Sequence, residues 1–311
     1  MVVAAPPPPP PPPPLPPALL GVRITISVAF GVMLLAVVRL LYGSRRRLAA
    51  TPSTLAVTGT RWCSPSSGTS AAARPRAALF AFRFAVAVWQ ILVIVALCVS
   101  NARSPTKGGH WAFQFLFFTV WNYVLQSVFW CFAAAASAAA VCTASGPGPR
   151  LRRLTHVLFS ICVPMALLVS VVLWGVLAPD AFRNHHPTQV LNFYSYNMHA
   201  ANTCCLLADA CCNRMLLKRG TLGLVLIWAL VYAAFSWIQE SQTHFWPYFF
   251  MRLDTYAAIG WYLALMALHV GAYVLVLVLS GLKARRQPSL VEQTAAEGYP
   301  VVEALVASQG A

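Results

Sequence analysis

Apolar residues run almost unbroken along seven stretches of this chain, at 19–42, 77–100, 111–142, 154–177, 189–217, 222–238 and 256–282. Each is long enough to cross the roughly 30 Å hydrocarbon core of a bilayer as a helix, the sixth at the short end. The predicted fold class is therefore all-α, a polytopic transmembrane helix bundle of seven spans. Six remain if the first stretch is a removable leader, although no basic segment precedes it as a signal peptide would require. Pro164 lies inside the fourth stretch and predicts a kink there.

Two of the seven stretches carry polar residues at helical spacing. In the fifth, Asn192, Ser195, His199, Asn202 and Asp209 recur at steps of three, four, three and seven, which keeps them on one helical face. In the third, Thr119, Asn122 and Gln126 follow at three and four. Polar residues inside an apolar span are costly unless they face other helices or a wet cavity, so both stripes are candidate functional sites. Counted along uninterrupted helices, Thr119 lies about 12 Å below Trp111 and His199 about 15 Å below Gln189, at matching depth.

A hydroxyl beside an imidazole is the minimum equipment of a covalent hydrolase. The base takes the proton as the oxygen attacks a carbonyl, then returns it to the leaving group. Asn122 or Asn202 would donate to the oxyanion, with Gln126 and Ser195 as polar support. Asp209 is about three helical turns from His199, too far to orient it, so a Thr/His dyad is the simpler proposal. Against this stands the plainer reading that Thr, Ser, Asn and Gln only hydrogen-bond between helices, and spacing alone favours it.

Composition supports the membrane assignment. Of 311 residues, 59% are hydrophobic and 9% charged, against roughly 45–50% and 25% in soluble domains. The net charge of +15 comes from short Lys and Arg clusters between apolar runs, which excludes a nucleic-acid surface and acts instead as a topology signal. Arg45, Arg46, Arg47, Arg61, Arg74 and Arg76, then Arg150, Arg152 and Arg153, then Arg214, Lys218 and Arg219, and finally Lys283, Arg285 and Arg286 fall on one side. By the positive-inside rule that side is cytoplasmic, with the amino terminus lumenal or extracellular and the carboxyl terminus cytoplasmic, in an endomembrane such as the endoplasmic reticulum or in the plasma membrane.

The chain divides into a proline-rich leader at 1–18, an extra first helix at 19–42, a basic loop at 43–76, a six-helix membrane domain at 77–282 and a polar tail at 283–311. Tyr299, Pro300, Val301 and Val302 match a short Tyr-x-x-apolar sorting pattern in that tail. The nine cysteines form no disulfide framework. Cys204, Cys205, Cys211 and Cys212 repeat at seven as small packing residues, the last two near enough to the interface for palmitoylation. Arg83 is left to snorkel or to pair between helices.

Further matching residues lie around the stripes: Gly108, Gly109 and Trp111 ahead of Thr119, Asn122, Leu125, Gln126 and Phe129; Asn197 and Met198 beside His199; and Trp237 before Trp246, Pro247 and Tyr248. In their order and spacing the chain resembles the androgen-induced family of multi-pass membrane proteins, over residues 77–282. The resemblance implies a threonine hydrolase of fatty acid esters of hydroxy fatty acids, with Thr119 and His199 as the essential pair and no cofactor. A membrane lipid or lipid ester is then the expected partner. Ala200 and Ala201 depart from the family pattern, in which a small hydroxyl residue is common. His244, Trp246 and Tyr248 read either as a headgroup belt or as the mouth of the substrate pocket. Two alternatives stand: a non-enzymatic lipid-binding, transport or signalling protein, and a zinc-dependent seven-helix lipid hydrolase using His199, Asp209 and His269. The zinc reading is the weaker, since the last helix offers only His269 and a zinc site needs about three converging ligands.

Overall fold

A computed structural model describes residues 17–49, 57–58, 69–103, 111–143, 145–217 and 219–285. The proline run, Cys63, Gly108, Gly109, Lys218 and the tail with its Tyr299 pattern lie outside the described residues. Within them the chain is all-helical, with no strand. Six helices are long and apolar enough to cross a membrane. They are α1 (Pro17–Ala49), α2 (Thr69–Ala102), α3 (Phe118–Cys142), α4 (Pro149–Arg183), α6 (Leu222–Thr243) and α7 (Ala257–Arg285). A seventh, α5, occupies residues 193–212 and is shorter and more polar than the rest. The chain is thus an integral multi-pass membrane protein, in which helix is forced by the need to satisfy every backbone group internally.

The helix α4 is the axis of the bundle. It packs against α3, α5, α6 and α7, and 61% of its most apolar window is buried against 11% for α1, which lies on α6 and α7 from outside. On α3, Ala133 and Ala136 are wholly buried and present only methyl groups, which lets neighbouring backbones approach closely. Pro149 at the first turn of α4 follows Gly148, a start that suits a residue with no amide hydrogen. The helix runs on through Pro164 and widens to a π turn at Leu173–Leu177, immediately before Pro179. Proline cannot donate to the carbonyl four residues back, and a π turn is one way a helix absorbs that loss.

Three expected boundaries change. Helix takes in both ends of the loop expected at 43–76, running on through Gly43 at one end and carrying Pro75 at the other. The third span does not begin at Trp111: a 3-10 turn at Phe113–Leu116 and an extended Phe117 precede it, so Thr119 lies in the first turn of α3. The fifth is not one helix from Gln189 to Leu217. A short turn at Pro187–Val190 breaks at Leu191, Asn192 caps α5, and after Cys212 the chain is non-helical to Leu217. The α5 helix also contains a π turn at Tyr196–Ala201, centred on His199.

Candidate active site between α3, α5 and α7

The Asn192 side chain accepts from the amides of Tyr194 (3.0 Å) and Ser195 (3.1 Å), an ordinary N-cap that explains why α5 starts here. Downstream, Ser170 of α4 braces the π turn by donating at 3.1 Å to the His199 carbonyl, which also accepts from the Asn202 amide, and it shares a hydroxyl contact of 2.7 Å with Thr203. The wide turn also rotates His199 away from Asn202 more than an α-helical turn would. The five-residue stripe therefore splits. Asn192 caps, His199 turns to α4 and a cavity, Asn202 turns to α2 and α3, and Asp209 pairs with Arg83.

His199 is buried, and its Nδ1 lies 2.9 Å from the Val169 carbonyl. A carbonyl can only accept, so Nδ1 carries the proton and Nε2 of the neutral ring keeps a lone pair. The ring lines a cavity of about 100 Å³ whose wall also includes Thr119, Tyr248 and His269. The rest of the lining is mostly apolar, including Phe30 and Met33 of α1 and Leu168 and Val169 of α4. Thr119 and His199 thus share one cavity, although neither helix runs the length assumed in the depth count.

Thr119 is held by its position at a helix start. Phe117 caps α3 without a side-chain bond, which leaves the first amides without intrahelical partners. The Thr119 amide donates instead to the Tyr248 hydroxyl at 3.4 Å, and that hydroxyl also reaches the Thr119 side chain. Aromatic contacts hold the loop after α6 against the turn before α3: Phe113 to Phe245 at 5.8 Å, Phe117 to Phe245 at 6.4 Å and Phe117 to Tyr248 at 5.7 Å. Burial pushes the Tyr248 phenol above its ordinary range against the opposing hydrogen bonds at Thr119, so it stays a neutral hydroxyl.

The remaining predicted residues lie off the cavity wall. The Asn122 amide donates to the Phe118 carbonyl at 2.8 Å, and its oxygen accepts from the Trp228 indole at 3.1 Å. Asn202 donates to Gln126 and accepts from Gln90 at 2.7 Å; Gln90 in turn accepts from Ser127 at 3.0 Å, and Gln126 donates to the Cys162 carbonyl at 3.4 Å. This is an amide network between helices, of the kind the non-enzymatic reading foresees for such residues. Ser195 is half-buried near the start of α5. His244 is exposed and left-handed (φ 53°) where it closes α6, its amide bonded to the Glu240 carbonyl at 2.8 Å. Trp246 packs in the core.

Asp209 is fully buried in an ion pair with Arg83, 2.7 Å from Oδ1 to the guanidinium. Among the described residues, no group of three His, Cys, Asp or Glu converges as a metal site would require. His269 is the cavity residue that spacing did not bring forward. The sequence offered it only in the zinc reading, and the packing of α7 on α4 reveals its place. Of the cysteines on α5, Cys204 and Cys211 are exposed and Cys205 and Cys212 half-buried.

No curated protein and no solved structure matches the chain. One family model does, over residues 79–281 and hence over well over half of the chain, and its description is FAR-17a/AIG1-like protein. With the Thr119 and His199 motifs inside that range, the chain belongs to the FAR-17a/AIG1-like family, the androgen-induced membrane proteins that its motifs resemble.

Proposed function

We propose that this protein hydrolyses lipid carboxylic esters within the bilayer, fatty acid esters of hydroxy fatty acids or similar lipids, with Thr119 as nucleophile and His199 as base. The observation that carries the reading is that both residues line one apolar cavity, with the His199 proton fixed on Nδ1 by the Val169 carbonyl. Nε2 is then the nitrogen able to accept a proton. Thr119 Oγ1 attacks the ester carbonyl as its proton passes to Nε2, and the tetrahedral oxyanion collapses with release of the alcohol, which takes that proton. Water, activated by the same nitrogen, then attacks the threonyl ester, releases the fatty acid and restores the hydroxyl.

The oxyanion donor in this scheme is the Tyr248 hydroxyl, which the Thr119 amide holds beside the start of α3. The Asn122 amide donates within α3 and the Asn202 amide to Gln126, which favours Tyr248 over either of them. An ester dissolved in lipid enters laterally, so the dyad has no need of a water-facing loop. The amino terminus is lumenal or extracellular and the carboxyl terminus cytoplasmic, on the charge distribution of the loops.

The test is covalent labelling in membranes by a fluorophosphonate, comparing the unaltered protein with Thr119→Ala and His199→Ala at equal folded yield. Labelling that disappears in both variants and survives a chelator is expected. Labelling unchanged by Thr119→Ala would remove the nucleophile. The lipid-binding alternative, favoured by the satisfied network of Gln90, Gln126 and Asn202, predicts no labelling of the unaltered protein.

A further inference from the structure

His269 has no part in the scheme above. It lies on α7 with 6% of its surface exposed and lines the same cavity as Thr119 and His199. Its Nδ1 is 2.7 Å from the Leu265 carbonyl one turn back, so Nδ1 carries the proton and points along its own helix. Nε2, at the far tip of the ring, is buried without a hydrogen-bond partner among the described residues. Other polar groups on this wall do better: the hydroxyls of Tyr232 and Tyr262 donate to the carbonyls of Leu116 (2.9 Å) and Met251 (3.1 Å). The His269 ring is 6.0 Å from that of Phe118, the residue before Thr119, and both line the cavity.

A buried acceptor without a donor is costly, and an aromatic hydrocarbon of similar size would avoid the cost. We infer that His269 Nε2 is a ligand site, accepting a hydrogen bond from an O–H group carried by the lipid that occupies the cavity. With its proton on Nδ1, the ring cannot donate to an ester carbonyl, an ether or a phosphodiester. The ligands it selects are hydroxylated lipids and un-ionised fatty acids, and fully esterified lipids gain nothing from it. This inference rests on the reading that the cavity holds a lipid, and does not need Thr119 to be a nucleophile.

The experiment uses the full chain carrying Thr119→Ala in nanodiscs, with a fluorescent fatty-acyl probe displaced by stearyl alcohol, stearyl methyl ether or stearic acid. The alcohol is expected to displace at about fivefold lower concentration than the ether, the size of one neutral hydrogen bond. Un-ionised stearic acid is expected to side with the alcohol, and displacement no better than the ether's at a pH below its titration would strike fatty acids from the ligands that His269 selects. In Thr119→Ala/His269→Phe the preference for alcohol should vanish while the ether binds as before, which also shows that the cavity is intact. Equal displacement by alcohol and ether with His269 present would overturn the inference without any variant. So would a preference that survives His269→Phe and disappears in His199→Phe. Failure of every lipid to compete would remove the lipid cavity itself, whereas absent fluorophosphonate labelling would leave this comparison standing.

Discussion

At the scale of single residues, the polar side chains of this bundle are told apart by where their hydrogen bonds end. Asn122, Gln126 and Asn202 bond within the bundle, to Phe118, Trp228, Cys162, Gln90 and one another, and stand off the cavity wall. Thr119 and His199 are each fixed by a bond, through the Thr119 amide and the His199 Nδ1, and both line the cavity. Tyr248 stands between the two kinds, since its hydroxyl both anchors Thr119 and lines the cavity. If it stabilises the oxyanion, Tyr248→Phe should lower kcat by about 10²–10³, the usual effect of losing one such donor. Binding of the fluorescent fatty-acyl probe should change little. A kcat that stays within twofold, or a loss confined to KM, would reduce Tyr248 to a packing residue.

At the scale of elements, α1 lies outside the family match, yet it closes one side of the cavity with Phe30 and Met33. Gly223 permits this, because a Cβ there would lie 2.7 Å from Leu41 Cδ2 of α1. Gly223→Val is therefore expected to push α1 off α6, at about 1–3 kcal/mol of overpacking, seen as a lowered thermal midpoint together with weaker probe binding. A lowered midpoint with unchanged binding would separate α1 from the cavity. His244→Gly is a contrasting case, since its left-handed φ of 53° is free of strain only for glycine. Thermal stability should hold or rise in that variant with hydrolysis unaltered, and a loss of hydrolysis would return His244 to the pocket mouth. The elements themselves were legible as apolar runs, because a bilayer permits little but helix. Their ends were not. The polar stripe on α5 was visible, but its reading as one face assumed a uniform turn, and the π turn around His199 depends on Ser170 and Thr203 meeting from two helices. Thr119 was picked out by spacing, while its place in a first turn depends on the loop that carries Tyr248, more than a hundred residues away.

At the scale of the whole molecule, the buried polar groups separate into a cavity and a clamp. The clamp joins four helices and Val57: Arg83 of α2 bonds Asp209 of α5, Ser137 of α3 (2.9 Å) and the Val57 carbonyl (3.0 Å). Asn213 donates to Asp209 at 2.8 Å and accepts from Lys283 of α7 at 3.0 Å. Two cations thus share one carboxylate, directly for Arg83 and through Asn213 for Lys283. Removing one partner of a buried ion pair typically costs about 3–5 kcal/mol, because the survivor stays buried without compensation. The cost should be unequal here. Asp209→Leu leaves both cations unbalanced and belongs at the upper end, whereas Arg83→Leu leaves Asp209 bonded to Asn213 with Lys283 beyond it and belongs at the lower end. The double variant should regain part of the loss, since neither charge is then stranded. Thermal unfolding in detergent, with Thr119→Ala as the reference that leaves stability unchanged, measures all four. If Arg83→Leu proved as damaging as Asp209→Leu, Lys283 would not share the carboxylate. If neither lowered stability while both abolished ester hydrolysis, the clamp would belong to the chemistry, and the division between cavity and clamp would fail.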